Sequence, residues 1–174
     1  MINKKTIISL VFFTVLLLPL VISSCKRDSV EARFENDLIT KATNTDGFVW
    51  FNYSNISLPK SSGSGHEQPL LKTRYNSIAA SVLDSVGRIK LNSIFPEGSI
   101  VVKELLGNDG KLQVYALLYK KSSHPNADAK GWVWAEYNSD ASIKIASSLK
   151  GKDCIGCHSQ AGNEDYMLMN KYFP

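Results

Sequence analysis

SIVVKELLGNDGKLQVYALLY, residues 99–119, is the stretch that decides the fold. β-Branched, aliphatic and aromatic residues fill both arms, and Asn108-Asp109-Gly110 between them is a hairpin-type turn. The arms are therefore predicted to be adjacent antiparallel strands. A further run, residues 131–137 (GWVWAEY), follows a polar loop and predicts a third strand. These strands carry large apolar groups on both faces, which indicates a sheet covered on both sides.

The segments before this hairpin predict one strand, one loop and one helix. Residues 47–53 (GFVWFNY) are typical of a strand or an extended core segment, and residues 57–69 are rich in Ser, Gly and Pro and predict a loop. Residues 71–86 predict an amphipathic helix, because their apolar side chains recur at spacings of three and four. Those side chains are Leu71, Tyr75, Ile78, Ala79, Val82, Leu83 and Val86. The chain is thus predicted to be α+β, which argues against a four-helix bundle.

Cys154-Ile155-Gly156-Cys157-His158 is the attachment motif for a covalent c-type haem. Two thiols three positions apart lie on one helical turn and can bond the two vinyl groups of a porphyrin. His158 then offers a ring nitrogen to the iron. A zinc site would need two further ligands, and a thiol–disulfide oxidoreductase usually carries its cysteines early in a βαβ unit. The motif therefore predicts one covalently bound haem c with its iron on His158.

The position of this motif bears on the sixth iron ligand. Only sixteen residues follow His158, and Met167 and Met169 are the only methionines among them. Such a short segment is not expected to wrap around the porphyrin edge and reach its far face. His66 and His124 lie in polar loops, where a solvated histidine is the usual outcome. A strong sixth ligand from either histidine would close the iron to substrates.

Residues 1–24 have the features of an export signal. Lys4 and Lys5 precede an apolar run, and the segment Ile22-Ser23-Ser24-Cys25 resembles a bacterial lipobox. Acylation of Cys25 would anchor the mature chain to a membrane, and an uncleaved membrane anchor is the alternative. Either arrangement predicts a location outside the cytoplasm, in the bacterial periplasm or on the cell surface.

The mature chain then divides into a tether and one domain. Residues 25–37 are mostly polar and predict a tether or the start of a first helix, and residues 38–174 predict the haem domain. No cysteine remains for a disulfide once Cys25, Cys154 and Cys157 are assigned. Loss of Lys4 and Lys5 lowers the formal charge from +4 to +2, which does not indicate a nucleic-acid surface.

Several short motifs together resemble the cytochrome P-460 family. They extend over roughly residues 40–170 and include the haem motif, and their order and approximate spacing match the family. The other matching pieces are His66, Arg74-Tyr75-Asn76, FPEGS at residues 95–99, Val-Val-Lys103-Glu104, GWVWAEY at residues 131–137, and Asp165-Tyr166. The resemblance implies a mainly antiparallel β-sheet with flanking helices, often dimeric. It also implies a high-spin haem with His158 as proximal ligand and an open distal side.

The same resemblance implies two candidate functional residues. Members of the family either oxidise hydroxylamine, with an additional lysine cross-link to the haem, or bind nitric oxide without that link, as in the β-type cytochromes c-prime. Lys103 is the residue that matches the cross-linking lysine, and alternation places it on the same strand face as Val101 and Leu105. Glu136 shares a face with Trp132 and Trp134 and could accept protons. Alternatively, Lys103 points outward with Glu104 inward, or it lies near a strand end and extends its ammonium group to solvent. The alternative for Glu136 is that it faces water at a sheet edge.

Two classes of function follow from these expectations. In the first, a five-coordinate haem iron binds hydroxylamine or nitric oxide and passes electrons to a redox partner protein, with Lys103 and Glu136 assisting. In the second, the chain is an electron-transfer cytochrome with a six-coordinate haem and no turnover. An apolar pocket lining from Phe95, Tyr115, Trp132 and Trp134 would suit either class.

Overall fold

The computed structural model describes residues 30–174. The predicted signal peptide (residues 1–24) and the lipobox Cys25 lie outside the described residues, as does the start of the predicted tether. Residues 30–43 form a helix, α1, so residues 30–37 are helical. The chain divides into two compact units, one ending at Asp37 and the other spanning Leu38–Pro174. Within residues 30–174, no helix is long and apolar enough to cross a membrane.

The second unit is built on one seven-stranded sheet in which every pairing is antiparallel. The order is β1-β3-β4-β5-β6-β7, and β2 also pairs with β3. The strands are β1 (Val49–Trp50), β2 (Leu58–Pro59), β3 (Leu70–Tyr75), β4 (Ile100–Leu106), β5 (Leu112–Lys120), β6 (Trp132–Asn138) and β7 (Ile143–Ile145). Three short helices complete it: α2 (Ser77–Ala80), α3 (Ile155–His158) and α4 (Met169–Tyr172). The prediction of a mainly antiparallel sheet with a few helices is confirmed.

The predicted β4–β5 hairpin is present. Gly107 and Lys111 close the turn through a 2.9 Å hydrogen bond from Gly107 N to the Lys111 carbonyl. Gly110 has a φ of 75°, which glycine adopts without the steric penalty that a side chain would bring. β6 pairs with β5 along its full length and all but its last residue is buried. The sheet is therefore covered on both faces at its centre, as its apolar residues predicted.

One face of the sheet carries the main hydrophobic core. Alternate residues of β3 to β6 point to this face, because side chains of a strand alternate between its two sides. The loop residues Phe51, Leu83, Ile89 and Phe95 pack against them, together with residues near the C-terminus. The buried strand residues of this face are Leu71, Tyr75, Val101, Leu105, Val114, Ala116, Leu118, Trp132 and Trp134.

The opposite face is organised around Arg74, whose side chain is fully buried. Its Nε donates to Glu104 Oε1 at 3.0 Å, and its two terminal nitrogens donate to the carbonyls of Ala42 and Asn44. Its guanidinium also lies over the ring of Phe48, 4.8 Å from the ring centroid. A buried cation needs such complete pairing, because desolvation without partners costs several kcal/mol.

The predicted helix over residues 71–86 is wrong. Residues 70–75 form β3, which pairs with β4 from Leu70 opposite Leu106 to Tyr75 opposite Val101. Only Ser77–Ala80 are helical. A spacing of four, as between Leu71 and Tyr75, also fits one face of a strand. The segment is a strand because β4 pairs with one of its edges, and β1 and β2 pair with the other.

The first predicted strand is shorter than expected and the first predicted loop is more ordered. β1 contains only Val49 and Trp50, and Phe51–Tyr53 form a 3₁₀ turn with Asn52 at a φ of 52°. Within residues 57–69, Leu58 and Pro59 pair with Leu71 and Leu70 as β2. Residues 60–69 are therefore the loop of a β2–β3 hairpin.

Replacing Arg74 with alanine should lower the free energy of unfolding by about 3–5 kcal/mol, because it leaves Glu104 and two carbonyls without their buried partner. Urea denaturation followed by circular dichroism measures this. Lys111→Ala is the matched control: its pair with Asp109 is exposed, at 84% and 56%, and should contribute at most about 1 kcal/mol. Equal losses in the two variants would contradict the role given to Arg74.

Candidate functional site

Four side chains form a row across the core face of the sheet. Thr73 on β3 is opposite Lys103 on β4, Lys103 is opposite Ala116 on β5, and Ala116 is opposite Glu136 on β6. Neighbouring strands lie about 4.8 Å apart, so Lys103 and Glu136 are about 10 Å apart at their backbones with only a methyl group between them. The small side chain of Ala116 leaves space above the sheet.

A cavity of about 290 Å³ occupies this space. Its floor is the sheet row with Val101, Leu118 and Trp134. One wall is the tip of the β2–β3 hairpin, and the other is the C-terminal segment that holds the haem motif. The wall residues include Gly63, Ser64, Gly65, His66, Glu67, Gln68, Cys154, Cys157, His158, Met167, Leu168, Met169 and Tyr172. The structure therefore brings Lys103, Glu136 and all three motif residues to one cavity.

The C-terminal segment is fastened to the sheet by a buried ion pair. Lys120 Nζ, at the end of β5, lies 3.0 Å from Asp165 Oδ2, and both side chains are less than 10% exposed. The same Asp165 oxygen accepts a hydrogen bond from the backbone N–H of Phe95 at 3.1 Å. Asp165 and Tyr166 have φ values of 48° and 75°, a left-handed conformation that is strained for residues with side chains. The ion pair and the turn together set the direction of the segment.

His158 is oriented by this turn. Its Nδ1 lies 2.8 Å from the carbonyl oxygen of Tyr166, and its ring packs edge-on against Trp134 with centroids 5.1 Å apart. Burial and the charge of Lys103 lower the pKa of His158 to about 4. The imidazole is thus neutral at pH 7, with Nδ1 as the donor and Nε2 available to a metal.

The two cysteines lie where they could bind a haem whose iron is held by His158. α3 starts immediately after Cys154, so Cys154 and Cys157 lie on one turn, and both are free thiols that line the cavity. Gly65 of the hairpin passes close to Cys157, since a Cβ there would lie 3.6 Å from its sulfur. Among residues 30–174 there is no group of three or more His, Cys, Asp or Glu that could hold a metal ion by itself. Two thiols and one neutral imidazole facing one cavity are the donor set that a c-type haem requires.

Lys103 and Glu136 both face the cavity, so the outward alternative for Lys103 is wrong. Glu104 instead points to the opposite face, where it pairs with Arg74. Burial lowers the pKa of Lys103 to about 8, although the charge of Glu136 opposes this shift. Burial raises the pKa of Glu136, while Lys144, with Nζ 3.4 Å from Glu136 Oε2, holds it down. Each group is thereby brought closer to a pKa at which it can exchange protons near neutral pH.

His66 is the residue that sequence reasoning placed wrongly, since a loop histidine was expected in solvent. Its ring lines the cavity 6.4 Å from that of His158 by centroids, and its Nδ1 lies 3.7 Å from Glu136 Oε1. Burial is the main cause that lowers its pKa, to about 3, and Lys103 adds to the effect. His124 lies outside this cavity, and its Nδ1 accepts a hydrogen bond from Asn126 N at 3.2 Å.

The methionines after the motif also reach the cavity. Met167 and Met169 are buried in its wall, and Met169 Sδ accepts a hydrogen bond from Thr73 Oγ1 at 3.2 Å. Of the aromatic lining expected from sequence, Trp134 borders the cavity directly. Phe95 and Trp132 pack together in the core beside it, with centroids 5.6 Å apart, and Tyr115 is on the other face.

Gly151→Ala should displace Trp134 and so disturb His158. Gly151 has a φ of +69°, and a Cβ there would lie 2.6 Å from the Trp134 ring. We expect a lower yield of haem-loaded protein and an altered near-ultraviolet circular dichroism spectrum. Gly156→Ala is the control, because a Cβ at Gly156 within the motif meets nothing within 4 Å. Normal haem loading in the Gly151 variant would contradict the positioning role of Trp134.

The family model described as Cytochrome P460 matches residues 52–169, which is more than half of the chain and includes the row, the hairpin loop and the haem motif. No curated protein matches the chain. The match confirms the resemblance that the sequence motifs suggested, and it implies that the chain binds haem. This chain belongs to the cytochrome P460 family.

Proposed function

We propose that this protein is an exported, lipid-anchored, monohaem c-type cytochrome whose reactive form has five-coordinate iron and accepts hydroxylamine or nitric oxide. Cys154 and Cys157 hold the haem through thioether bonds, and His158 is the axial ligand. The observation that carries the proposal is that Lys103 and Glu136 share the cavity of His158. Two ionisable groups on the core face of a sheet are costly to bury, which favours a functional role over a structural one.

The haem would supply an iron that binds the nitrogen atom and takes up electrons. The protein's own residues supply the rest of the chemistry. Oxidation of hydroxylamine releases protons, and Glu136, with its raised pKa, is the carboxylate that faces the cavity to receive them. Lys144 lies beside Glu136 and its side chain is 34% exposed, so it connects this carboxylate to the solvent that takes up the protons. Lys103 is the amine available for the additional link to the haem edge.

The cavity also favours a second function, capture of nitric oxide without turnover. Much of its lining is apolar, with Val101, Leu118, Trp134 and Met167 among the lining residues. Apolar walls suit a small uncharged ligand and exclude water from it. In this case Lys103 remains a free amine. An electron-transfer protein with a six-coordinate haem is the further alternative, since Met167, Met169 and His66 line the same cavity.

The proposal also includes a location and partners for the protein. The lipobox at Cys25 supports attachment to a membrane, in the periplasm or on the cell surface. A redox partner protein would receive the electrons released from hydroxylamine, and a homodimer is compatible with the family. The low formal charge of the mature chain argues against nucleic acid as a partner.

The mass of the haem peptide separates the two functions. Mature protein made with a haem-c assembly system is digested and weighed, and its oxidation of hydroxylamine by an artificial electron acceptor is measured. For the enzyme we expect a Lys103 peptide joined to the haem, a strongly red-shifted ferrous Soret band and turnover. A haem held only by Cys154 and Cys157, with nitric oxide binding but no turnover, would establish the binding function. His158→Ala should lose the normal haem spectrum, and retention of that spectrum would exclude His158 as the ligand.

The pH dependence of the haem reduction potential reports on Lys103 independently. A free Lys103 loses its positive charge as pH rises through its lowered pKa of about 8. A nearby positive charge favours the reduced haem, so the potential should fall across this pH range. Lys103→Met should abolish the step. A cross-linked Lys103 should give no step in the wild type either, and the mass measurement identifies that case.

A further inference from the structure

We propose that Gln68 is a specificity-determining residue of the cavity, and that its side-chain oxygen accepts a hydrogen bond from hydroxylamine and so favours hydroxylamine over nitric oxide. This inference rests on the proposed function, because it needs the haem on His158 and a small nitrogen ligand in the cavity. Two observations carry it. Gln68 is buried and lines the cavity, and its Oε1 has no hydrogen-bond partner among residues 30–174.

Gln68 differs from the loop that carries it. The other residues of the segment 60–69 are partly or fully exposed, whereas Gln68 is only 7% exposed. Moving an amide oxygen out of water without giving it a hydrogen bond costs free energy. Buried polar groups are rarely left in this state by the fold itself, which favours a ligand as the missing partner.

The backbone on both sides of Gln68 is fixed. Lys60 Nζ donates to the carbonyl oxygens of His66 and Glu67 at 3.0 and 3.3 Å. The backbone N–H of Lys60 donates to the Pro69 carbonyl at 2.8 Å. Pro69 has a restricted φ and also restricts the backbone of the residue before it, which is Gln68. The amide is therefore ordered before a ligand arrives, so its hydrogen bond costs little conformational entropy.

Two other polar groups of the cavity are already engaged by protein partners. The Thr73 hydroxyl donates to Met169 Sδ at 3.2 Å, and Glu136 Oε2 lies 3.4 Å from Lys144 Nζ. The Gln68 oxygen, in contrast, is available as an acceptor. Much of the remaining lining is apolar and does not distinguish one small ligand from another. A hydrogen bond to Gln68 is therefore able to make this distinction.

The two proposed ligands differ in what they offer to this oxygen. Hydroxylamine carries hydrogens on both its nitrogen and its oxygen, so it can donate one of them to Gln68 Oε1. Nitric oxide carries no hydrogen, and it leaves the oxygen unpaired when it fills the cavity. A site built to hydrogen-bond a ligand discriminates against an analogue without the hydrogen, because the buried partner is then unsatisfied. Gln68 thus shifts the preference of the cavity toward hydroxylamine.

The experiment compares the haem-loaded wild type with Gln68→Met and Gln68→Leu, which remove the amide and keep a side chain of similar size. Gln113→Met is the matched control, because Gln113 is an exposed residue of β5 outside the cavity. Hydroxylamine and nitric oxide are titrated separately into the oxidised protein, anaerobically and without an electron acceptor, and the Soret spectrum gives each Kd. We expect the Kd for hydroxylamine to rise about tenfold in both Gln68 variants, while the Kd for nitric oxide changes less than about twofold.

The other outcomes separate this inference from the proposed function. An unchanged affinity for hydroxylamine in the Gln68 variants would overturn the inference and leave the proposed function intact. Equal weakening of both ligands would also overturn it, since Gln68 would then set only the shape of the cavity. A lower haem content with both affinities unchanged would assign the amide to the haem and overturn it as well. If the wild type binds neither ligand, the proposed function fails and this inference fails with it.

Stability gives a second readout, which a purely structural role would move in the opposite direction. Removing an amide that has no protein partner should leave the urea midpoint of the ligand-free, haem-loaded protein at or above the wild-type value. A lower midpoint for Gln68→Met than for Gln113→Met would show that the amide stabilises the fold, and would contradict the inference. If one Gln68 variant does not assemble, the other decides. Failure of both, with normal assembly of Gln113→Met, counts against the inference in the same way.

Discussion

The buried ion pair between Lys120 and Asp165 is the constraint on which the site depends. It joins the end of a central strand to the segment that follows the haem motif, and Asp165 also accepts the Phe95 N–H. Buried charges of this kind tolerate little variation in geometry, because any loss of pairing leaves a desolvated charge. The pair therefore holds the left-handed turn at Asp165 and Tyr166, and through the Tyr166 carbonyl it determines where the His158 ring points.

The sheet uses its two faces for different electrostatic purposes. On one face Arg74 is fully paired with Glu104 and two carbonyls, so its charge is a structural element. On the other face Lys103 and Glu136 are separated by Ala116 and are not directly joined. Burial moves their pKa values in opposite directions, down for the ammonium and up for the carboxyl group. Incomplete compensation of this kind leaves groups able to change protonation state, which is what a reactive site needs.

Local patterns succeeded where the answer was local. The β4–β5 hairpin follows from its Asn-Asp-Gly turn and flanking apolar arms, and β6 follows from an aromatic and β-branched run. The helix predicted over residues 71–86 is wrong because the spacing of Leu71 and Tyr75 fits both a helix and a strand. Tertiary contacts favour the strand: β4 pairs with this segment, and the carbonyls of Ala42 and Asn44 bind Arg74. His66 was misplaced for the same reason. A Gly/Ser-rich sequence indicates that a residue lies in a loop, but it does not indicate whether the loop carries the side chain into solvent or into a cavity.

The sequence by itself determined the haem motif, the family and the sheet hairpin, because thiol spacing and turn and strand patterns are properties of neighbouring residues. Strand alternation also grouped Lys103 and Glu136 with apolar neighbours, but it left open which side of the sheet each of them faces. Only the tertiary structure decided that these two residues share one cavity with His158, that His66 is opposite it, and that Asp165 is paired with Lys120. These contacts join residues 22 to 92 positions apart in the chain. Their geometry depends on strand order and on how loops fold back over the sheet, which no local pattern encodes.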